Sequence, residues 1–487
     1  MLGSKFLRQR HSGISISSSC LPKFSDDDTE DLQVELQKRR SNNTLCFDRQ
    51  IKSWSLPIKK KPHYDLEQSK MDFLSFLAVI ESNDSDKIVQ LSDEIAKRCV
   101  VSKDYFSEVI SSLEAMESFT NVFVSATSQE MIKSMISALS SMFPLLSSKI
   151  KCAVVDCGIA NKIYDQFSPI TDSILQSINL IITVSKFSSY GRNSFLGMGI
   201  HELLITTAME TNDLNISIGC CVALQSIFEN PEKVDCDYVE NYISAIVKLL
   251  DIQNEVSQNA ILRTLCAIAN QMPSVVNCLI AEGMHTLVLH FLKSPGLQSS
   301  SLCLVSKLCY TNDPLKIKEM VDNGLFEILF NLILTDHSAA VLHVFYRICE
   351  KLPNIIPNLP PTFIKQLIEI CHSAPFSVMK EAALLLTILI ARDNKSEIIH
   401  KYMNQEIIEI LVDMLSSSQN DIILHCLIAI KVIVNAAETT SNMKILIPML
   451  NETDFFSSLS NLEENANNNI NSISNISTKL LERLNSY

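Results

Sequence analysis

The residues of this chain that could do chemistry are few, and their spacing suits little of it. His201-Glu202-Leu203-Leu204-Ile205 opens like a zinc-binding helix. Such a helix needs a second histidine one turn later to put two ligands on one face. None stands there, so the segment reads as a plain helix. Gly197-Met198-Gly199 starts like a dinucleotide loop but lacks the third glycine and the preceding strand, and reads as a corner between helices. The ten histidines show no paired ligand spacing, and no GxSxG or phosphate-binding loop occurs. The sequence therefore predicts no enzyme, no metal and no cofactor. Two basic clusters, Lys38-Arg39-Arg40 and Lys59-Lys60-Lys61-Pro62, offer instead a charge-based contact to an acidic partner.

Composition narrows the partners. Residues 1–70 hold 13 Lys+Arg and 9 Asp+Glu, which leaves 28 and 45 in residues 71–487. A head of net charge +4 thus precedes a body of net charge −17. The body favours basic protein partners, and nucleic acid is not expected because phosphate contacts need cations in excess. Fifteen cysteines occur without a CxxC pair and with apolar neighbours, as in Gly219-Cys220-Cys221-Val222. They read as small buried hydrophobes in a reducing compartment. No apolar run approaches the roughly 18 residues of a membrane span. The longest, Ala382–Ala391, reads as a buried helix, so no membrane partner is expected.

The elements that must carry any binding surface follow from glycine. Only ten glycines occur, yet Gly158, Gly199, Gly283 and Gly324 stand 41, 84 and 41 residues apart. That is one, two and one copies of a single unit. Each opens an apolar stretch of helical period, as in Gly324-Leu-Phe-Glu-Ile-Leu. The vacant rung at 241 holds Asn241, expected to take positive φ in the glycine's place. A helical repeat in the low forties predicts an armadillo or HEAT array. The units fall at 71–104, 105–148, 149–189, 190–231, 232–273, 274–314, 315–353, 354–394, 395–438 and a looser 439–487. Pro144, Pro231, Pro273, Pro314 and Pro353 lie at or near their corners, where helices must stop. The third helix of each unit is the most apolar, as in Ile261-Leu262-Arg263-Thr264-Leu265-Cys266-Ala267-Ile268. Leu180–Val184 would suit a strand alone, but the register places it in a third helix.

The two ends differ from the middle. Residues 1–70 are Ser-rich and Pro-broken, which predicts disorder. Within them 31–40 has acids first, bases last and an apolar stripe at Leu32 and Leu36, as a helix that folds on a partner would. Residues 451–475 are Asn- and Ser-rich and read as a linker, followed by an amphipathic capping helix ending Leu480-Leu481-Glu482-Arg483-Leu484.

Val34-Glu35-Leu36-Gln37-Lys38-Arg39-Arg40, ahead of about ten repeats, resembles the importin-beta-binding core of the importin alpha family. Lys5-Phe6-Leu7-Arg8-Gln9-Arg10 is similar to that family's opening. Leu462-Glu463-Glu464-Asn465 with the final helix resembles its closing half-unit. The resemblance implies a right-handed armadillo superhelix and an adaptor in nuclear protein import, working between cytoplasm and nucleus. Its partners would be importin beta and basic cargo peptides or proteins. It further implies that Val34, Leu36, Lys38, Arg39 and Arg40, with Lys59, Lys60 and Lys61, bind importin beta or block the array's own groove. A tethered blocking segment would compete through its high effective concentration.

The family's cargo groove is a different matter. It pairs tryptophan and asparagine one turn apart on successive third helices, and this chain has one tryptophan, Trp54, in the head. The matching positions read Ser137/Ser141, Ile182/Lys186, Leu224/Phe228 and Cys266/Asn270. Only Asn270 fits as a cargo-binding residue, and it reads equally as a helix-ending asparagine before Pro273; Lys186 would repel a basic peptide. The expected domains are a head over 1–70, repeats over 71–450 and an end segment over 451–487. A generic armadillo scaffold without a transport role is the alternative.

Overall fold

The computed structural model describes residues 71–484 apart from 72, 83, 100–105, 169–171, 230–238, 395–396 and 465–470. The head residues singled out above (Val34, Leu36, Lys38, Arg39, Arg40, Lys59, Lys60, Lys61) and Trp54 lie outside this set, as does Pro231. Every regular element among the described residues is helical.

The corners show why the glycines recur. Gly158, Gly199, Gly283 and Gly324 have φ of 98°, 78°, 76° and 94°. Each stands immediately before the second helix of its unit: Ile159–Gln166, Ile200–Glu210, Met284–Phe291 and Leu325–Leu332. In all four the glycine N–H donates to the carbonyl three residues earlier at 3.0 Å, which satisfies a carbonyl the ending first helix would leave open. A Cβ at Gly158 or Gly324 would meet nothing within 4 Å. Glycine is therefore selected there by backbone conformation and not by space.

Asn241 does not repeat the trick. It lies in a 3-10 turn, Val239–Tyr242, that runs straight into the Ile243–Lys248 helix. Among described non-glycine residues only Ser441 has positive φ. A Cβ-bearing residue loses about 1–2 kcal/mol in the left-handed region, and the 3-10 turn makes this corner without entering it.

The third helices form the spine. They run Gln129–Met142, Ile174–Phe187, Leu214–Phe228, Glu255–Gln271, Gln298–Leu308, Ser338–Lys351, Phe376–Arg392 and Asn420–Thr439. Ser85–Arg98 precedes them, Asn471–Leu484 follows, and each packs on the next. Burial from both sides explains their all-round apolarity: Ile261, Leu262 and Leu265 are fully buried, and so are Leu385, Leu386 and Leu389. Some polar residues caught in this core bond to their own helix, as Thr264 Oγ1 does to the Ala260 carbonyl at 2.8 Å and Ser226 Oγ to the Val222 carbonyl at 2.9 Å. Leu180–Val184 is helical and Ala382–Ala391 lies within a buried helix, as the register required. Asn254 caps the Glu255–Gln271 helix by accepting from the N–H groups of Val256 and Ser257 at 2.9 and 3.2 Å.

Two readings of the C-terminal part change. The Asn420–Thr439 helix is long and apolar enough to cross a membrane, although its charged residues break any continuous apolar run. It is the third helix of its unit, with Cys426, Leu427, Ile433 and Val434 fully buried. The polar stretch after 451 is not all linker, because Phe455–Glu464 is a helix whose Phe455 and Leu459 are fully buried. Two apolar anchors outweigh the surrounding serines and asparagines. The capping helix, Asn471–Leu484, stands where the sequence placed it and buries Ile473, Leu480 and Leu484.

Candidate functional site

Side chains one unit apart meet along one face of the third helices, and these meetings define a ladder. Its first clear rung joins Glu229 to Arg263, whose Nε donates at 2.5 Å, while Gln225 Nε2 donates to the same carboxylate at 2.7 Å. Cys266 is bonded to Cys303 on the next helix, with the Cα atoms 6.4 Å apart. One turn further Lys307 Nζ donates to Asn270 Oδ1 at 2.8 Å. Arg347 then places its guanidinium 4.5 Å from the centroid of the Tyr310 ring and 5.5 Å from that of Tyr346. His343 Nδ1 and Glu381 Oε2 stand 3.2 Å apart. Near the end, Arg483 donates to Glu438 and Asn435 at 2.6 Å each.

Asn270 is exposed on this face, as a cargo-binding residue must be. Its side-chain oxygen accepts from Lys307 Nζ. Ser137 and Ser141 are part-exposed, as is Ile182, and Lys186 is exposed. The pair Leu224/Phe228 is a correction. Both are buried in the core, and the exposed position at the end of that helix is Glu229, to which the buried Gln225 donates. A register counted through mixed unit lengths slipped there by one residue, and on a helix one residue is a rotation of about 100°.

The ladder continues past Asn270 with residues the sequence reading did not single out. Adding 37 to Cys266 and Asn270 gives Cys303 and Lys307, and the next unit supplies His343 and Arg347. That continued count was the available signal. It leads into a patch of opposite polarity to the body: Lys307, Arg347, Lys351 and Arg392 against Glu350 and Glu381. Lys307 Nζ is 5.8 Å from the Tyr310 centroid. Partial burial, and then the nearby Arg347 charge, hold its pKa below the usual lysine value. Tyr346 is pushed up chiefly by burial, with Glu350 adding to the shift and Arg347 and Arg392 opposing it. Arg347 also donates to Glu350 at 3.0 Å. Such guanidinium–aromatic contacts are worth about 0.5–1 kcal/mol when exposed and more when desolvated.

The cysteine expectation needs one correction, since Cys266 and Cys303 are joined. They sit at equivalent turns of neighbouring third helices, where packing brings their side chains together. The ten other described cysteines are unbonded. Burial pushes Cys221, Cys309, Cys349 and Cys426 up to about 12, so they stay protonated and behave as hydrophobes.

His201 is buried with 1% of its surface exposed and packs edge-on against the Tyr242 ring at 5.2 Å. Among the described residues no group of three His, Cys, Asp or Glu side chains could hold a metal ion. Shallow clefts occur between Lys365, Glu369, His372 and Glu406, and between Lys431, Lys479 and Arg483.

No family model matches the chain, and no curated protein matches it. Among solved structures it is similar to an engineered protein from the Northeast Structural Genomics Consortium. The match covers 84% of this chain and 98% of the other, with 17% identity and a TM-score of 0.67. It is also similar to a designed armadillo repeat protein over 49% of this chain and 100% of that one, with 13% identity and a TM-score of 0.43. At such identities likeness speaks to fold alone, and the first match shows a backbone shared over most of both chains. Three-helix units with a glycine corner after the first helix make this an armadillo-type helical repeat array.

Proposed function

We propose that the chain is a protein-interaction scaffold, without catalytic activity, that serves as an importin-alpha-like adaptor in nuclear protein import. The observation that carries the scaffold reading is the ladder itself. Successive third helices present exposed or half-exposed polar side chains one unit apart, among them Lys186, Glu229, Asn270, Lys307 and Arg347, suited to an extended segment of another protein. The adaptor role rests on the likeness of Val34–Arg40 to an importin-beta-binding core. In this reading Val34, Leu36, Lys38, Arg39 and Arg40 engage importin beta, and Lys59, Lys60 and Lys61 engage it or the array. Basic cargo lies along the ladder on the Asn270 side, and the protein works in cytoplasm and nucleus. Those compartments keep thiols reduced, so the Cys266–Cys303 bond would there mark oxidised molecules.

The test is capture of importin beta by the full chain, compared with the K38A/R39A/R40A variant. Binding by the wild type that the variant loses is the expected result. No binding by either sinks the adaptor role and leaves the generic scaffold. A fluorescent basic peptide titrated against the full chain and against Asn270→Ala then asks whether the ladder takes basic cargo.

A further inference from the structure

The array as a whole is acidic, yet one stretch of its ladder is built from cations and rings. Lys307 and Arg347, from adjacent units, share the Tyr310 ring at 5.8 and 4.5 Å. Arg347 lies against Tyr346 as well, and Arg392 is near enough to Tyr346 to bias its hydroxyl. Lys307 has an amide oxygen as its polar partner and not a carboxylate. Two like charges held around one ring repel each other, and a ligand carboxylate between them relieves that repulsion. Tyr310 is 43% exposed, so an apolar side chain beside such a carboxylate would find a surface to pack on.

We infer that the Lys307–Tyr310–Tyr346–Arg347 stretch of the ladder is a docking site for an acidic, extended protein segment with interspersed apolar residues. This rests on the reading of the ladder as the binding face, and it reverses the charge of the cargo along this part of it. Nucleic acid is the poorer match. Glu350 and Glu381 stand among the cations, where a continuous phosphate backbone would meet them, and the array around them is strongly acidic. A peptide can place its carboxylates at Lys307 and Arg347 and leave the positions facing Glu350 and Glu381 uncharged.

The experiment is fluorescence anisotropy on the full-length protein with three labelled probes: a peptide of mixed Glu, Asp and Leu, its Lys/Arg/Leu counterpart, and single-stranded oligouridylate. The acidic peptide should bind, more weakly as salt rises, and K307A/R347A should weaken it by about tenfold or more. Tyr310→Ala, which leaves the charge intact, should weaken it by a smaller factor, and circular dichroism should show all variants folded. If K307A/R347A does not fold, K351A/R392A carries the test, since it removes two cations of the same patch that form none of the rungs described above. Tighter binding of the basic peptide, oligouridylate binding lost in the same variants, or acidic binding unmoved by them would each overturn the assignment. Capture of importin beta is unaffected by any of these outcomes, so the two proposals fail separately.

Discussion

The corners and core of this array repeat, and the ladder does not. Four glycines adopt nearly the same left-handed conformation and close nearly the same hydrogen bond. The ladder pairs one turn apart on the third helices change from unit to unit: Gln225/Glu229, Cys266/Asn270, Cys303/Lys307, His343/Arg347, the first member being buried in two of them. The difference teaches where constraint lies in a repeat protein. The glycine corner is one physical solution that serves four units, and the packed faces of a third helix must be apolar. A ladder position needs only to face outward, so it is free to carry whatever a partner requires.

That contrast can be broken by measurement. The largest effect belongs to the core. Leu265→Ala, at a fully buried spine position, should cost about 2–5 kcal/mol in urea denaturation. A loss below about 1 kcal/mol would mean the units are looser than the packing implies. Next is the one covalent rung. Reductant should lower the unfolding free energy of oxidised protein by up to about 4 kcal/mol for a loop of this length, read in urea denaturation. Cys303→Ser should be insensitive to reductant. A corner comes third: Gly324→Ala meets no neighbour but forces alanine to positive φ, for about 1–2 kcal/mol. An equal loss at Gly158→Ala would confirm that the corners are equivalent.

Smaller effects separate buried from exposed polar groups. Burial holds His201 below its usual pKa, so the folded state binds its proton less well than the unfolded state does. Its contribution is complete above pH of about 6.5 and falls away as pH drops through the folded value. His201→Gln should flatten that part of the acid limb in pH-dependent melting. The smallest effect is expected on the ladder, where Asn270→Ala should change stability by no more than about 0.5 kcal/mol. If it costs more, the Asn270–Lys307 rung is structural and the contrast weakens.

The scaffold was legible because glycine and proline act locally. A positive-φ corner admits few residues, so Gly158 and Gly324 announce themselves without a structure. Asn241 misled because a chain has a second way to turn, through a 3-10 segment, that leaves no glycine behind. The site was less legible. Asn270 could be placed outward by counting, but Phe228 and Glu229 are neighbours in sequence of which the first is buried and the second exposed, and unit lengths vary enough to confuse them. The Lys307–Arg347 patch involves two units and two rings. Nothing in either segment alone says that the other stands beside it. Phe455 was hidden by composition, since two well-placed anchors suffice to seat a helix that its serines would not suggest.

The rungs have a mechanical consequence. A stack of units behaves like springs in series, and its bending is dominated by whichever joint is softest. Glu229–Arg263, Cys266–Cys303 and Asn270–Lys307 bridge consecutive joints, two of them with the same joint between 266 and 303 clamped twice. When the cysteines are oxidised that joint carries both a covalent and a hydrogen-bonded link, and it shares Lys307 with the cation–aromatic patch. Oxidation would therefore concentrate any flexing on the joints to either side of it, and single-molecule stretching should show this unit pair as the last to yield.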